Sequence, residues 1–159
     1  MKRLFPALAV LALVTIPLAR AQKQAEASSP DDDLREVVFR YQFKAINLQA
    51  GAYFLAVDNK NPSDALLARF RDNMPVVKSV SDSRTLKKPV VTIVDKKTEQ
   101  QGVLFRTGRI TRTGDAKADV EGGYECGDLC DAARGTYHLV RDATGWSVQS
   151  FEAASKPAS

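Results

Sequence analysis

The stretch VLFRTGRITRTGDAKADVEGGYECGDLCDAARGTYHLVRDATGWSVQSF, residues 103–151, decides the fold. Apolar and polar residues alternate in segments at 103–112, 116–125, 135–141 and 146–151, the period of half-buried strands. A shorter apolar run at 90–94 precedes them. Turn-formers separate the segments: the polar run 95–101, Thr113-Gly114-Asp115, the loop 126–134, and Asp142-Ala143-Thr144-Gly145. Connections this short join antiparallel neighbours, because a parallel crossover takes a dozen residues or more. The expectation is an antiparallel meander whose last hairpin is closed by Trp146 as a core aromatic.

Upstream the pattern changes to helical. Ser29-Pro30-Asp31-Asp32 combines a capping hydroxyl, a proline with no N–H to lose, and acids suited to the positive end of a helix. Leu34, Val37, Val38, Tyr41, Ala45 and Leu48 then fall on one stripe, widened by Phe39, Phe43 and Ile46, with Gly51 as the stop. The β-branched and aromatic run Val37-Val38-Phe39 leaves a strand there as the alternative. Residues 53–57 (YFLAV) read as a strand. Asn61-Pro62-Ser63-Asp64 repeats the start signal for a short helix through Leu66, Leu67 and Phe70 that stops before Pro75, and 75–80 reads as another strand. Helices followed by strands give an α+β domain, with an N-terminal and a second short helix packed on a curved antiparallel sheet.

The 159 residues carry 23 basic and 19 acidic side chains, a net charge of +4. That excess sits mostly in the first 21 residues. Met1-Lys2-Arg3 is a positive start, residues 4–18 carry no charge, and Ala19-Arg20-Ala21 is a small-x-small cleavage pattern. This is the pattern of a signal peptide at 1–21. The alternative, a membrane anchor, needs about 20 apolar residues, and this run is shorter and contains Pro6 and Pro17. Removing 1–21 takes away Lys2, Arg3 and Arg20 and no acid, leaving 20 basic against 19 acidic residues. A nearly neutral chain lacks the clustered positive field that nucleic acid or anionic membranes require. The expected organisation is a signal peptide at 1–21, a flexible lead-in at 22–28, a single domain at 29–151 and a flexible tail at 152–159. The expected location is periplasmic or extracellular, with no nucleic-acid partner and no stable membrane insertion.

Few residues carry chemistry. Cys126 and Cys130 stand four apart in a loop, and in an oxidising compartment they are expected to pair as a loop staple. A redox centre would more typically use C-x-x-C, and a metal site would need ligands that one histidine cannot add. His138 is the only imidazole; it is either a general base or a hydrogen-bonded sheet residue. Asp119, Glu121 and Glu125 share one strand face, read as the solvated outward face of a half-exposed strand or as a source of acid–base carboxylates, with Asp115 nearby. Arg106, Arg109 and Arg112 are expected opposite those acids as cross-strand pairs, or as a small anion site. No nucleophile elbow, phosphate loop, dinucleotide fingerprint or H-E-x-x-H is present, so no cofactor or metal is expected.

The sequence from Val120-Glu121-Gly122-Gly123-Tyr124 through Cys126-Gly127-Asp128-Leu129-Cys130, Gly135-Thr136-Tyr137-His138-Leu139 and Gly145-Trp146-Ser147-Val148 resembles a pattern in small exported bacterial proteins of unknown function. That resemblance implies no catalytic residue. At a coarser level the element order is similar to the nuclear transport factor 2-like and cystatin-like cone folds, some of whose enzymes use an Asp–His arrangement. Three readings follow: a non-enzymatic domain binding a small molecule or protein partner through the sheet or its loops; a cone-fold hydrolase or isomerase using His138 with Asp119 or Glu121; or an inhibitor or immunity-type protein presenting the loop 126–134.

Overall fold

The computed structural model describes residues 28–46, 48, 50–87 and 89–155. The expected signal peptide, nearly all of the lead-in and the last four residues of the tail lie outside them. The domain is α+β, with the element order α1 (Pro30–Ala45), β1 (Ala52–Val57), α2 (Asp64–Ala68), β2 (Val76–Ser79), a 3-10 turn (Val80–Asp82), β3 (Ser83–Leu86), β4 (Thr92–Asp95), β5 (Gly102–Gly114), β6 (Lys117–Glu125), β7 (Ala133–Asp142) and β8 (Gly145–Ala153).

Both helix starts follow local chemistry. Ser29 accepts from the Asp31 N–H, and Asp32 reaches back to the Ser29 N–H, so the pair closes a capping box over a proline-led first turn. At α2 the cap is Ser63, whose hydroxyl accepts from the Leu66 N–H at 3.1 Å. Asn61, the expected cap, instead accepts from the Ser81 N–H. The run Val37–Phe39 is helical. α1 ends at Ala45 rather than near Gly51, because Ile46 turns extended and buries its side chain in the core. Two stripe positions read as buried, Tyr41 and Ala45, are exposed, while the polar Gln42 is fully buried.

One six-stranded sheet runs β2-β1-β5-β6-β7-β8. Its larger part, β5 to β8, is the antiparallel meander expected from the short loops. β1 is parallel to both β2 and β5. The intervening chain through α2 is long enough for that crossover. β1 reads as an unbroken apolar run because both its faces are covered. On one side Tyr53 and Leu55 pack with Phe39, Phe70 and Phe105 beneath the helices. On the other, Ala52, Phe54 and Ala56 meet Ile93 and Leu104 under the β3–β4 hairpin. The expected strand at 90–94 is therefore β4 at Thr92–Asp95, paired with β3, which the sequence reading omitted.

The helix side of the meander holds the second part of the core, where Leu34 and Val38 of α1 meet Ala118, Val120, Tyr137 and Leu139. Trp146 joins this side but stays half-buried, its ring 5.9 Å from the Arg141 guanidinium. Among the described residues no helix covers the opposite side of the meander, which carries mainly polar residues. β8 continues through Glu152 and Ala153, two residues into the segment expected as tail.

Candidate functional site

Two one-residue bulges decide what the open face of the meander presents. On β5, Thr107 pairs with Gly122 and Ile110 with Val120, so Gly108 and Arg109 together oppose Glu121. Such an insertion reverses the alternation of the strand beyond it. Phe105 and Thr107 point to the core before the bulge, and Ile110 after it. The three arginines spaced by three are thereby sorted. Arg106 and Arg109 meet the outward acids Glu125 and Glu121, while Arg112 swings to the helix side and pairs with Asp31 at 2.7 Å. The expectation that all three oppose the strand acids holds for the first two only.

β8 carries the second bulge. His138 pairs with Ser150 and Leu139 with Val148, leaving Gln149 as the extra residue. Trp146 and Val148 face the core before it and Phe151 after it, with the Phe151 ring 4.6 Å from that of Tyr137. Ser150 and Glu152 are thereby placed beside His138 on the open face.

The result is a groove of about 950 Å³ across β5 to β8, bounded by the Asp58-Asn59 turn at one rim and Ala153–Ser155 at the other. Its floor is thin because Gly122 and Gly123 lie in the middle of β6. A Cβ on Gly122 would stand 2.6 Å from the Arg106 carbonyl oxygen and 3.2 Å from the Tyr137 ring. A Cβ on Gly123 would stand 2.1 Å from the Ala133 carbonyl oxygen. Only glycine allows this approach of backbone to backbone. Beneath the floor, the buried Gln42 amide donates to the carbonyls of Arg106 and Gly123 and to the Tyr137 hydroxyl, at 3.1–3.3 Å. Burial pushes the Tyr137 hydroxyl up to about 12, so it stays neutral.

The walls carry charge. Arg134 of β7 donates to Glu125, whose carboxylate also lies 3.4 Å from Arg106 Nε. Arg106 Nη1 donates to Asn59 Oδ1 at 2.9 Å. Burial pushes the Glu125 carboxyl up, but the Arg134 hydrogen bond and the two guanidinium charges outweigh it and hold the pKa below the usual value. Arg109 Nε donates to Glu121 at 3.0 Å in an exposed pair. Asp58 at the rim is 3.7 Å from Arg35 of α1.

His138 sits at the edge of this arrangement, directly across from Asp119 on β6. Its Nδ1 is 2.8 Å from Asp119 Oδ1 and its Nε2 is 3.4 Å from Glu152 Oε2. The hydrogen bond with Asp119 raises its pKa above the ordinary value; partial burial opposes this and Glu152 adds to it. Glu121 is not a partner of this imidazole, being held by Arg109. Asp115 lies in the β5–β6 turn, away from the histidine's carboxylates. Glu152 and Arg134 are the members that sequence reading missed. The first falls in the polar stretch 152–159 beyond the last expected strand, and the second closes the 126–134 loop.

Cys126 and Cys130 lie at disulfide distance, with Cα atoms 5.6 Å apart, inside the range a disulfide accepts. Their loop packs on the chain entering β4, where Thr92 Oγ1 is 3.4 Å from Asp128. A smaller cleft of about 340 Å³ lies between the start of α1 and the segment 61–66, lined by Asp32 and Arg35. Among the described residues no group of three or more His, Cys, Asp or Glu side chains is arranged to hold a metal ion. Nor, among them, is any helix long and apolar enough to cross a membrane. No protein-family model, no curated protein and no solved structure matches the chain.

Proposed function

We propose that this chain is an exported, non-enzymatic binding domain whose ligand lies in the charged groove on the open face of the β5–β8 meander. The observation that carries this reading is the groove itself. It combines about 950 Å³ of space, a glycine-thinned floor braced from below by Gln42, and guanidinium and carboxylate groups converging from four strands. A concave site with a few fixed polar groups is the usual form of a small-molecule pocket. Export is supported by the n-region and small-x-small pattern at 1–21, and by a cysteine pair at bonding distance of the kind oxidising compartments favour. Native mass spectrometry of the protein isolated from its natural source tests the reading. A non-covalent adduct is expected, and it should be lost from the Arg106→Ala/Arg134→Ala variant. A bare mass for the native protein, or an adduct indifferent to that double substitution, would overturn it.

The short contact of His138 with Asp119 favours one second reading, a general base acting on a ligand at the same face. One feature weighs against it. Both ring nitrogens face carboxylates, which stabilises the imidazolium form, and a general base must begin without that proton. Activity that rises with pH and disappears in His138→Gln, with the fold intact, would decide for this alternative.

A further inference from the structure

The charges of the groove are not evenly matched along its length. At one end Arg106 and Arg134 share the single carboxylate of Glu125, an excess of one positive charge. Between the ends Arg109 and Glu121 neutralise one another, while at the rim Asp58 shares Arg35 with Asp32, whose carboxylate also caps α1. At the other end two carboxylates, Asp119 and Glu152, share the one imidazole of His138, so one negative charge remains in excess even when that ring is protonated. The closer partner of His138 is Asp119, which leaves the 78% exposed Glu152 as the acid available to the groove it lines.

Building on the binding reading above, we infer that the ligand is a zwitterion, with its carboxylate between Arg106 and Arg134 and its ammonium group on Glu152. A ligand with both charges completes each end without breaking an existing pair. A simple anion meets only the first end, and a simple cation only the second. The sheet also fixes the spacing. Glu152 pairs with Thr136, two residues from Arg134 along β7, so the ends stand about 7 Å apart along the strand direction and one to three strand spacings of about 4.8 Å across it. A carboxylate midway between Arg106 and Arg134, two spacings from β8, stands about 12 Å from the ammonium position, the reach of about three to four residues of extended peptide. The ligand class is therefore a short free peptide of about three to four residues. Arginine suits the carboxylate end because its planar fork holds a carboxylate by two parallel hydrogen bonds.

The test is a 1H–15N titration of the disulfide-intact protein with triglycine, N-acetyl-triglycine and triglycine amide. Triglycine is expected to shift amides of β5–β8 around the groove, and blocking either end is expected to weaken binding at least tenfold. Arg134→Gln should erase the preference for the free carboxylate and Glu152→Gln the preference for the free amine. Equal binding of the acetylated and free peptides would reduce the site to an anion pocket and overturn the inference. If no peptide binds but the native protein carries an adduct lost on removal of Arg106 and Arg134, the zwitterion is wrong and the binding reading stands. With neither peptide binding nor adduct, both fail.

Discussion

His138 carries an imidazole between carboxylates of the two neighbouring strands, and its protonation is the most sensitive property of any single residue on the open face. Its Asp119 partner is close and half-buried, its Glu152 partner longer and mostly exposed. A pKa raised in the folded state means that the protonated ring contributes stability. That contribution is complete below the unfolded value of about 6.5 and is lost as pH rises through the folded pKa. Following the His138 ring resonances against pH should give a midpoint above that of the urea-unfolded chain. Asp119→Asn should lower the midpoint more than Glu152→Gln, in keeping with the two contact distances. A midpoint at the unfolded value would mean the ring is free in solution.

At the scale of single elements, the two bulges explain why strand composition alone misassigned side chains. Capping and hairpin signals are local, and Ser29, Pro30, Thr144 and Gly145 announced their turns and helix starts correctly. Face assignment is cumulative. One inserted residue inverts every position beyond it, and neither the Gly108-Arg109 nor the Gln149 insertion has a sequence signature stronger than a glycine or a polar residue. Arg112 was therefore expected beside the acids and lies with Asp31, while Glu152 was assigned to the tail and faces the groove. Deleting Gln149 should restore strict alternation in β8 with Ser150 still opposite His138 and Phe151 still opposite Tyr137, because the residue removed is the inserted one. Urea denaturation should show a loss of no more than about 1 kcal/mol, against about 3 kcal/mol if the Phe151 ring left its neighbours. Gln149→Ala, which keeps the bulge, should stay within about 0.5 kcal/mol of the parent. A loss of about 3 kcal/mol in the deletion variant would show that Gln149 is not the inserted residue.

For the whole molecule, the sheet divides its labour by face and by half. Helices α1 and α2 cover one face and the β3–β4 hairpin covers the β1 half of the other, so the charged groove occupies the only large uncovered part of the sheet among the described residues. The α+β class, the meander and the cysteine pair were legible in the sequence because short loops and the Cys126–Cys130 spacing are local. The parallel pairing of β1 was not, since a doubly covered strand and a buried helix segment share the same apolar run. Nor was the groove, which gathers Arg106, Arg134 and Glu152 from positions up to 46 apart in the chain. The central claim, that two bulges place core aromatics on one face and the groove charges on the other, is tested most directly by side-chain NOE spectroscopy of the native protein. It predicts cross-peaks between the Tyr137 and Phe151 rings together with cross-peaks between the His138 ring and the Glu152 methylenes. Cross-peaks joining the His138 ring to that of Phe151, with none to Glu152, would contradict it.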